Sequence, residues 1–272
     1  MRKRQETAPG ARPGGEPEVR DRQFVVALAR GLDVLRAFRP GDGALGNHEI
    51  ATRTDLPKPT VSRLTHTLCN LGYLTYSQTT GRYALGTPVL SLGFACLAGM
   101  DVRQVARPLM QELSEYSGVS VGLGGRDRLS MVYLESCRPN TAVTLRLDVG
   151  SLIPIATTSM GRAFLAALPD GERGYLMEHI RIREKERWPQ ILDGIDKAID
   201  DVKTRGFSLS MGEWTPDIRA VGAPLVPRDG SPILAFNCGG PAYLLDRRRL
   251  EEDLGPRLVE MVRKVDASIA RY

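Results

Sequence analysis

Lys58, Pro59, Thr60, Ser62, Arg63 and His66 crowd into one short stretch of the chain, and a further cation, Arg82, follows them. Ammonium, guanidinium, hydroxyl and imidazole groups hydrogen-bond phosphate oxygens and base edges, so the chemistry on offer is contact with a nucleic acid. Arg63, in the middle of the set, suits the edge of a base. Lys58, Thr60 and Ser62 fall where a helix would start, and its free amides and positive dipole end would strengthen a phosphate contact that sets register. The same side chains would also serve as the solvated face of any surface helix. What favours the first reading is the order of the elements that carry them.

Val61, Leu64, Leu68 and Leu71 recur at helical spacing, which predicts a helix with one buried face and with Pro59, Ser62, Arg63, His66 and Asn70 opposite it. A short helix over 47–54 and the turn Asp55-Leu56-Pro57 precede it. A strand over 72–76, the turn residues Ser77-Gln78-Thr79-Thr80-Gly81 and a returning strand over 82–85 follow. Helix, turn, helix and hairpin in this order make a winged helix-turn-helix, whose second helix enters a major groove. Arg82 then stands on the wing, facing a phosphate or the minor groove. Upstream, Val25, Leu28, Leu32, Leu35 and Phe38 predict another helix from Arg22 onward, closed by Pro40-Gly41-Asp42-Gly43 and packed behind the reading helix.

Charge divides the 272 residues in the same way. Residues 1–86 hold 13 Lys+Arg against 8 Asp+Glu, whereas residues 87–272 are balanced, so the whole net charge of +5 lies at the DNA-reading end. Residues 1–22, rich in Gly, Pro, Arg and Glu, read as a disordered tail. The winged helix then spans 23–86, a linker helix 87–100, and a larger domain 101–272. The linker, Val89-Leu90-Ser91-Leu92-Gly93-Phe94-Ala95-Cys96-Leu97-Ala98-Gly99-Met100, is apolar almost all round. That suits a dimer seam, and paired modules would read two half-sites.

The larger domain alternates differently. Helices are expected over 103–116, 161–168 and 171–205 and from Leu245, with strands near 119–124, 129–135, 141–147, 207–210, 220–226 and 233–237. This predicts an α+β domain with a mainly antiparallel sheet flanked by helices. Within it, Thr157, Thr158 and Ser159 offer N-caps to a helix starting near Met160, whose free amides make a site for a carboxylate. The plainer alternative is that they only cap the helix, with Gly161 permitting close packing.

Enzymatic chemistry finds little support. There is no Ser/His/Asp set at a nucleophile elbow, no HExxH and no Walker loop, and Gly122-Leu123-Gly124-Gly125 runs on into a turn and a strand instead of opening a helix. Cys69, Cys96, Cys137 and Cys238 form no CxxC pair and no ligand spacing with His. Buried or idle thiols in a reducing cytoplasm are expected, with no cofactor and no metal, and a redox or metal sensor is the lesser alternative. No apolar run approaches the roughly 20 residues of a spanning helix, and no signal peptide is evident. A sensor-fold enzyme and a protein-interaction adaptor with a degenerate winged helix remain as alternatives.

Three motifs together resemble the IclR-type bacterial transcriptional regulators, from Phe24 to the last helix. They are Leu56-Pro57-Lys58-Pro59-Thr60-Val61-Ser62-Arg63-Leu64, Ile153-Pro154-Ile155-Ala156-Thr157-Thr158-Ser159-Met160-Gly161-Arg162-Ala163-Phe164-Leu165-Ala166, and Ala220-Val221-Gly222-Ala223-Pro224-Leu225 with Gly239-Gly240-Pro241. The resemblance implies a GAF/profilin-like effector-binding domain after the linker helix. It also implies homodimers, often paired into tetramers, that bind an operator in double-stranded DNA and answer to a small organic-acid or aromatic metabolite. In similar proteins the loop matching Ser159, Met160 and Gly161 gives backbone contacts to an organic acid, and Ile153 would be an apolar wall. Asn237 and Gly239 stand where similar regulators often carry hydroxyl residues, Ala220 where some have a cysteine, and Ser210 where an acidic residue can occur. Arg146 and Arg219 could neutralise an anion, although strand arginines more often face solvent or an ion pair.

Overall fold

The computed structural model describes residues 23–140 and 147–269. The predicted tail, Arg146 and all but the last residue of the strand expected over 141–147 lie outside the described residues. The chain divides between Ser91 and Leu92 into two compact units.

In the first unit, α1 (Val26–Arg36), α2 (Asn47–Thr54) and α3 (Lys58–Asn70) pack around Val34, Ile50 and Val61, all fully buried. Strands β2 (Leu74–Ser77) and β3 (Arg82–Leu85) form the hairpin. A two-residue strand, β1 (Leu45–Gly46), pairs with β3 and is too short to leave a pattern in the sequence. Asp55 ends α2 in the left-handed region at φ 55°, and Pro59 lies in the first turn of α3, where no intrahelical donor is needed.

Two expected stripes are corrected. Leu71 lies at the C-cap of α3 and is exposed, whereas Thr65 is buried beside Val61, its hydroxyl on the Ser62 carbonyl. A 3.6-residue turn carries the buried face through 61, 65 and 68 and leaves 71 outside. On α1 only the C-terminal half packs inward; Leu28 is 62% and Leu32 53% exposed.

The second unit is built on an antiparallel sheet of six strands in the order β6-β5-β4-β9-β8-β7. These are β4 (Ser120–Asp127), β5 (Ser130–Cys137), β6 (Leu152–Pro154), β7 (Ser208–Ser210), β8 (Ile218–Leu225) and β9 (Leu234–Pro241). One face packs on α5 (Asp101–Ser117) and α10 (Gly255–Ile269), with Val121, Leu123, Val221, Phe236 and Leu258 in the core between. The other carries α6 (Ser159–Ala167), α7 (Asp170–Arg183) and α8 (Trp188–Arg205), packed through Met131, Ile155, Leu165, Ile180 and Ile195. The helix expected over 171–205 is therefore two helices. The last one opens with a short turn, α9 (Arg247–Arg249), and a π-helical turn, Leu250–Leu254.

The boundary between the units falls inside α4 (Thr87–Ala98). None of its residues is buried; Leu90 is 72% and Phe94 69% exposed. No single described helix is long and apolar enough to cross a membrane; α4 and α5 pass that test only as a pair, and they meet at a bend of 78°.

Candidate functional site

On α3, Lys58, Pro59, Ser62, Arg63 and His66 are exposed and Thr60 is half-buried. Lys58 and Arg63 have no ion-pair partner among the described residues, so both cations are available to an incoming anion. Ser62 is held in place: its Oγ accepts from Asn47 Nδ2 at 2.9 Å. His66 Nε2 and Asn70 Nδ2 share a hydrogen bond at 3.1 Å.

Arg82 departs from expectation. Its guanidinium pairs with Glu49 at 2.6 Å, and its Nε donates to the Ala44 carbonyl at 3.0 Å. The register Gly46↔Arg82 sets it over the first turn of α2, where Glu49 also accepts from the Gly46 amide at 2.8 Å. The Gly46 amide, with help from the Arg82 charge, holds the Glu49 carboxyl below its ordinary value. Arg82 thus ties the wing to α2 instead of standing free on its tip.

The second site lies where α6 begins. Ile153, Ser159, Ser210, Ala220, Asn237 and Gly239 line one cavity of about 20 Å³, together with Tyr133, Leu147, Thr158, Trp214 and Ile218. Thr158 is the N-cap of α6: its Oγ1 accepts from the Gly161 amide at 3.2 Å and donates to the Pro154 carbonyl at 2.7 Å. Ser208 donates to the Ser159 carbonyl at 2.9 Å and Ser210 to the Thr157 carbonyl at 3.0 Å, fixing the loop against β7. Gly222 lets the Ser159 carbonyl approach β8 so closely that no Cβ would fit.

Within the cavity the Tyr133 hydroxyl and the Asn237 amide hydrogen-bond each other, Asn237 Nδ2 to the phenol oxygen at 3.0 Å. Burial pushes the Tyr133 pKa up to about 12, against the Asn237 bond, so the phenol stays neutral. Ser159 is 1% exposed, and its Oγ finds no hydrogen-bond partner among the described residues. A hydroxyl in that state costs free energy unless something binds it.

Met160 and Gly161 do not line this cavity. Met160 is fully buried with its sulfur against Gly124, and Gly161 lies against the Ile155 backbone, with its amide already taken by Thr158. Both are packing positions. Arg219 is turned away as well, donating to the Leu245 carbonyl at 3.1 Å.

Beside this cavity is an outer one of about 120 Å³, lined among others by Ile155, Ile191, Arg183, Arg187, Glu213 and Trp214. Arg162, 3% exposed on α6, donates to the Ala156 and Leu209 carbonyls and pairs with Glu213 at 2.7 Å. Burial pushes the Glu213 carboxyl up, but Arg162 overcomes this and holds it below its ordinary value.

The family description "bacterial transcriptional regulator IclR C-terminal" matches residues 94–269, and "IclR helix-turn-helix domain" matches residues 27–78. The chain belongs to the IclR family of bacterial transcriptional regulators. It is 34% identical over 248 residues to the HTH-type transcriptional regulator TsaQ1/TsaQ2 of Comamonas testosteroni, covering 90% of this chain and 89% of that one. A crystal structure of an IclR family transcriptional regulator from Brucella abortus matches with a TM-score of 0.87 at 49% identity, over 94% of this chain and 97% of the other. An IclR homologue from Microbacterium hydrocarbonoxydans, crystallised with 4-hydroxybenzoate, shares the fold with a TM-score of 0.67 at 20% identity, over 90% and 100% of the two chains. The curated relatives are named as regulators, and this IclR-family chain is a DNA-binding transcriptional regulator.

Several residues of this IclR-family chain escaped the sequence reading. Asn47 and Glu49 position Ser62 and Arg82. Tyr133 enters the cavity because Gly122, across the sheet, leaves room for its ring; the alternating glycines of β4 were the signal. Arg103, at the start of α5, donates to the Leu97 carbonyl at the end of α4 at 3.1 Å and to Glu135 on β5 at 2.9 Å, and Arg107 holds the other Glu135 oxygen at 2.6 Å. Leu134 is an extra residue in the β4–β5 register, so a bulge separates Glu135 from Tyr133 in the cavity. The four cysteines are free, and no described group of His, Cys, Asp and Glu could hold a metal.

Proposed function

We propose that the protein controls transcription from an operator in response to a small organic acid, which binds in the cavity at the start of α6. The observation that carries this is the buried Ser159 hydroxyl, which has no partner among the described residues and is set beside Tyr133 and Asn237 at a helix N-terminus. An oxygen-rich ligand would satisfy that hydroxyl, which can donate to a hydroxyl or carbonyl oxygen of the acid. Contact with 4-hydroxybenzoate in a protein of the same fold supports the same chemical class.

DNA reading rests on Arg63 for base contact, with Lys58, Pro59, Thr60, Ser62 and His66 around it; Arg82 holds the wing in place. The exposed apolar side chains of α4 support self-association into a dimer or a pair of dimers, acting on DNA in the cytoplasm. Ligand and operator are then coupled through α4, each altering affinity for the other by the same factor. A thermal-shift screen of organic and aromatic acids tests the effector reading. A ligand at 100 times its Kd stabilises the fold by about 2.7 kcal/mol, and Ser159→Ala should weaken that response. Acids that neither raise the melting temperature nor alter operator affinity would refute it.

A further inference from the structure

The cavity around Ser159, about 20 Å³, holds roughly one water molecule. An organic effector must therefore displace part of its wall. Trp214 is the side chain that lines both this cavity and the outer one. Its indole makes no hydrogen bond among the described residues, so moving it breaks apolar contacts alone. The adjacent Glu213 is anchored by Arg162 at 2.7 Å and by the Met211 amide, which would keep the loop in place while the ring turns.

The two cavities differ in chemistry. The inner lining includes no charged side chain. The outer one has Arg183, Glu184, Arg187 and Glu213. Glu213 is neutralised by Arg162, and Arg183 and Glu184 offset each other across 3.9 Å. Arg187 is left over, its guanidinium held among the described residues only by a 3.4 Å hydrogen bond to the Glu213 carbonyl. A carboxylate finds its charge-assisted partner there and its neutral hydrogen bonds at the far end.

Resting on the effector reading above, we propose that the complete effector site is both cavities joined by displacement of Trp214. Its ligand is an elongated organic anion whose carboxylate pairs with Arg187, whose apolar body lies along Ile155 and Ile191, and whose hydroxyl or carbonyl end meets Ser159.

Trp188→Phe leaves Trp214 as the one tryptophan of the chain. That full-length variant is titrated with 4-hydroxybenzoate and with the longer 3-(4-hydroxyphenyl)propanoate, following tryptophan emission and calorimetric affinity. The longer acid should bind more tightly and shift Trp214 emission, and Arg187→Gln should weaken it about tenfold, the value of one charge-assisted hydrogen bond. Arg187→Lys keeps the charge and should recover part of the loss. Binding with unchanged emission and unchanged affinity in Arg187→Gln would confine the ligand to the inner cavity, overturning the joined site while the effector reading stands. If neither acid, nor any other in the screen, stabilises the wild type, the effector reading fails and takes this proposal with it.

Discussion

Arg63 and Ser159 offer their hydrogen bonds in opposite settings. The guanidinium stands in water, where it costs nothing until DNA arrives, and the hydroxyl is sealed beneath the start of α6. Arg63→Ala should cost operator affinity about 1 to 3 kcal/mol and relax preference at one base pair, as read by footprinting on selected sites; an unchanged preference would remove it from base readout. Glu213 gives a pH signature. Its pKa is lowered in the fold, so its contribution is complete above the ordinary value of 4.5 and is lost as pH falls through the lowered value. Glu213→Gln should therefore flatten the acid limb of melting temperature against pH, and an unaltered limb would deny the Arg162 pair its role. At this scale residue type was enough to single out Arg63, which the fold leaves exposed, and Ser159, whose hydroxyl it buries in the cavity. It did not show the Glu49 partner of Arg82, which strand register sets, or the packing of Met160 on Gly124 of β4.

Elements were legible where a period runs long enough. The buried face of α3 and the hairpin after it follow from spacing, whereas β1 has two residues and no period to show. The stripe on α1 was visible, but half of it is exposed, because spacing reveals an apolar face and not what covers it. Helix α4 poses the same question at greater strength. Leu90→Glu with Phe94→Glu should dissociate the proposed α4-mediated dimer, weakening self-association by about 3 kcal/mol or more through two lost apolar contacts. Sedimentation velocity would show it, and an unchanged oligomer would place the seam elsewhere. The clasp of Arg103 between the end of α4 and Glu135 links that helix to the strand carrying Tyr133. Arg103→Ala should leave effector binding measurable by calorimetry while cutting the change in operator affinity that the effector causes, at least several-fold. A full response in that variant would route coupling through other contacts.

Across the whole molecule, uneven charge was the most legible feature: a basic end that meets a polyanion and a balanced remainder. The two compact units divide between Ser91 and Leu92, within the stretch where the sequence pattern changes. Periodicity did not reveal the cavity, because its wall is assembled from β5, β6, β7, β8, β9 and α6; Ile153, Ser210 and Asn237 were grouped in the sequence only by the family resemblance. The central claim is that the first unit binds duplex DNA by neutralising phosphates. It is tested most directly by measuring affinity for promoter fragments from the protein's own locus across 50 to 200 mM salt, roughly the span in which six to ten phosphate contacts lose a factor of about 10³ to 10⁵. A steep linear fall of log K with log salt is predicted; a flat dependence, or no binding at the lowest salt with or without organic acids, would contradict it.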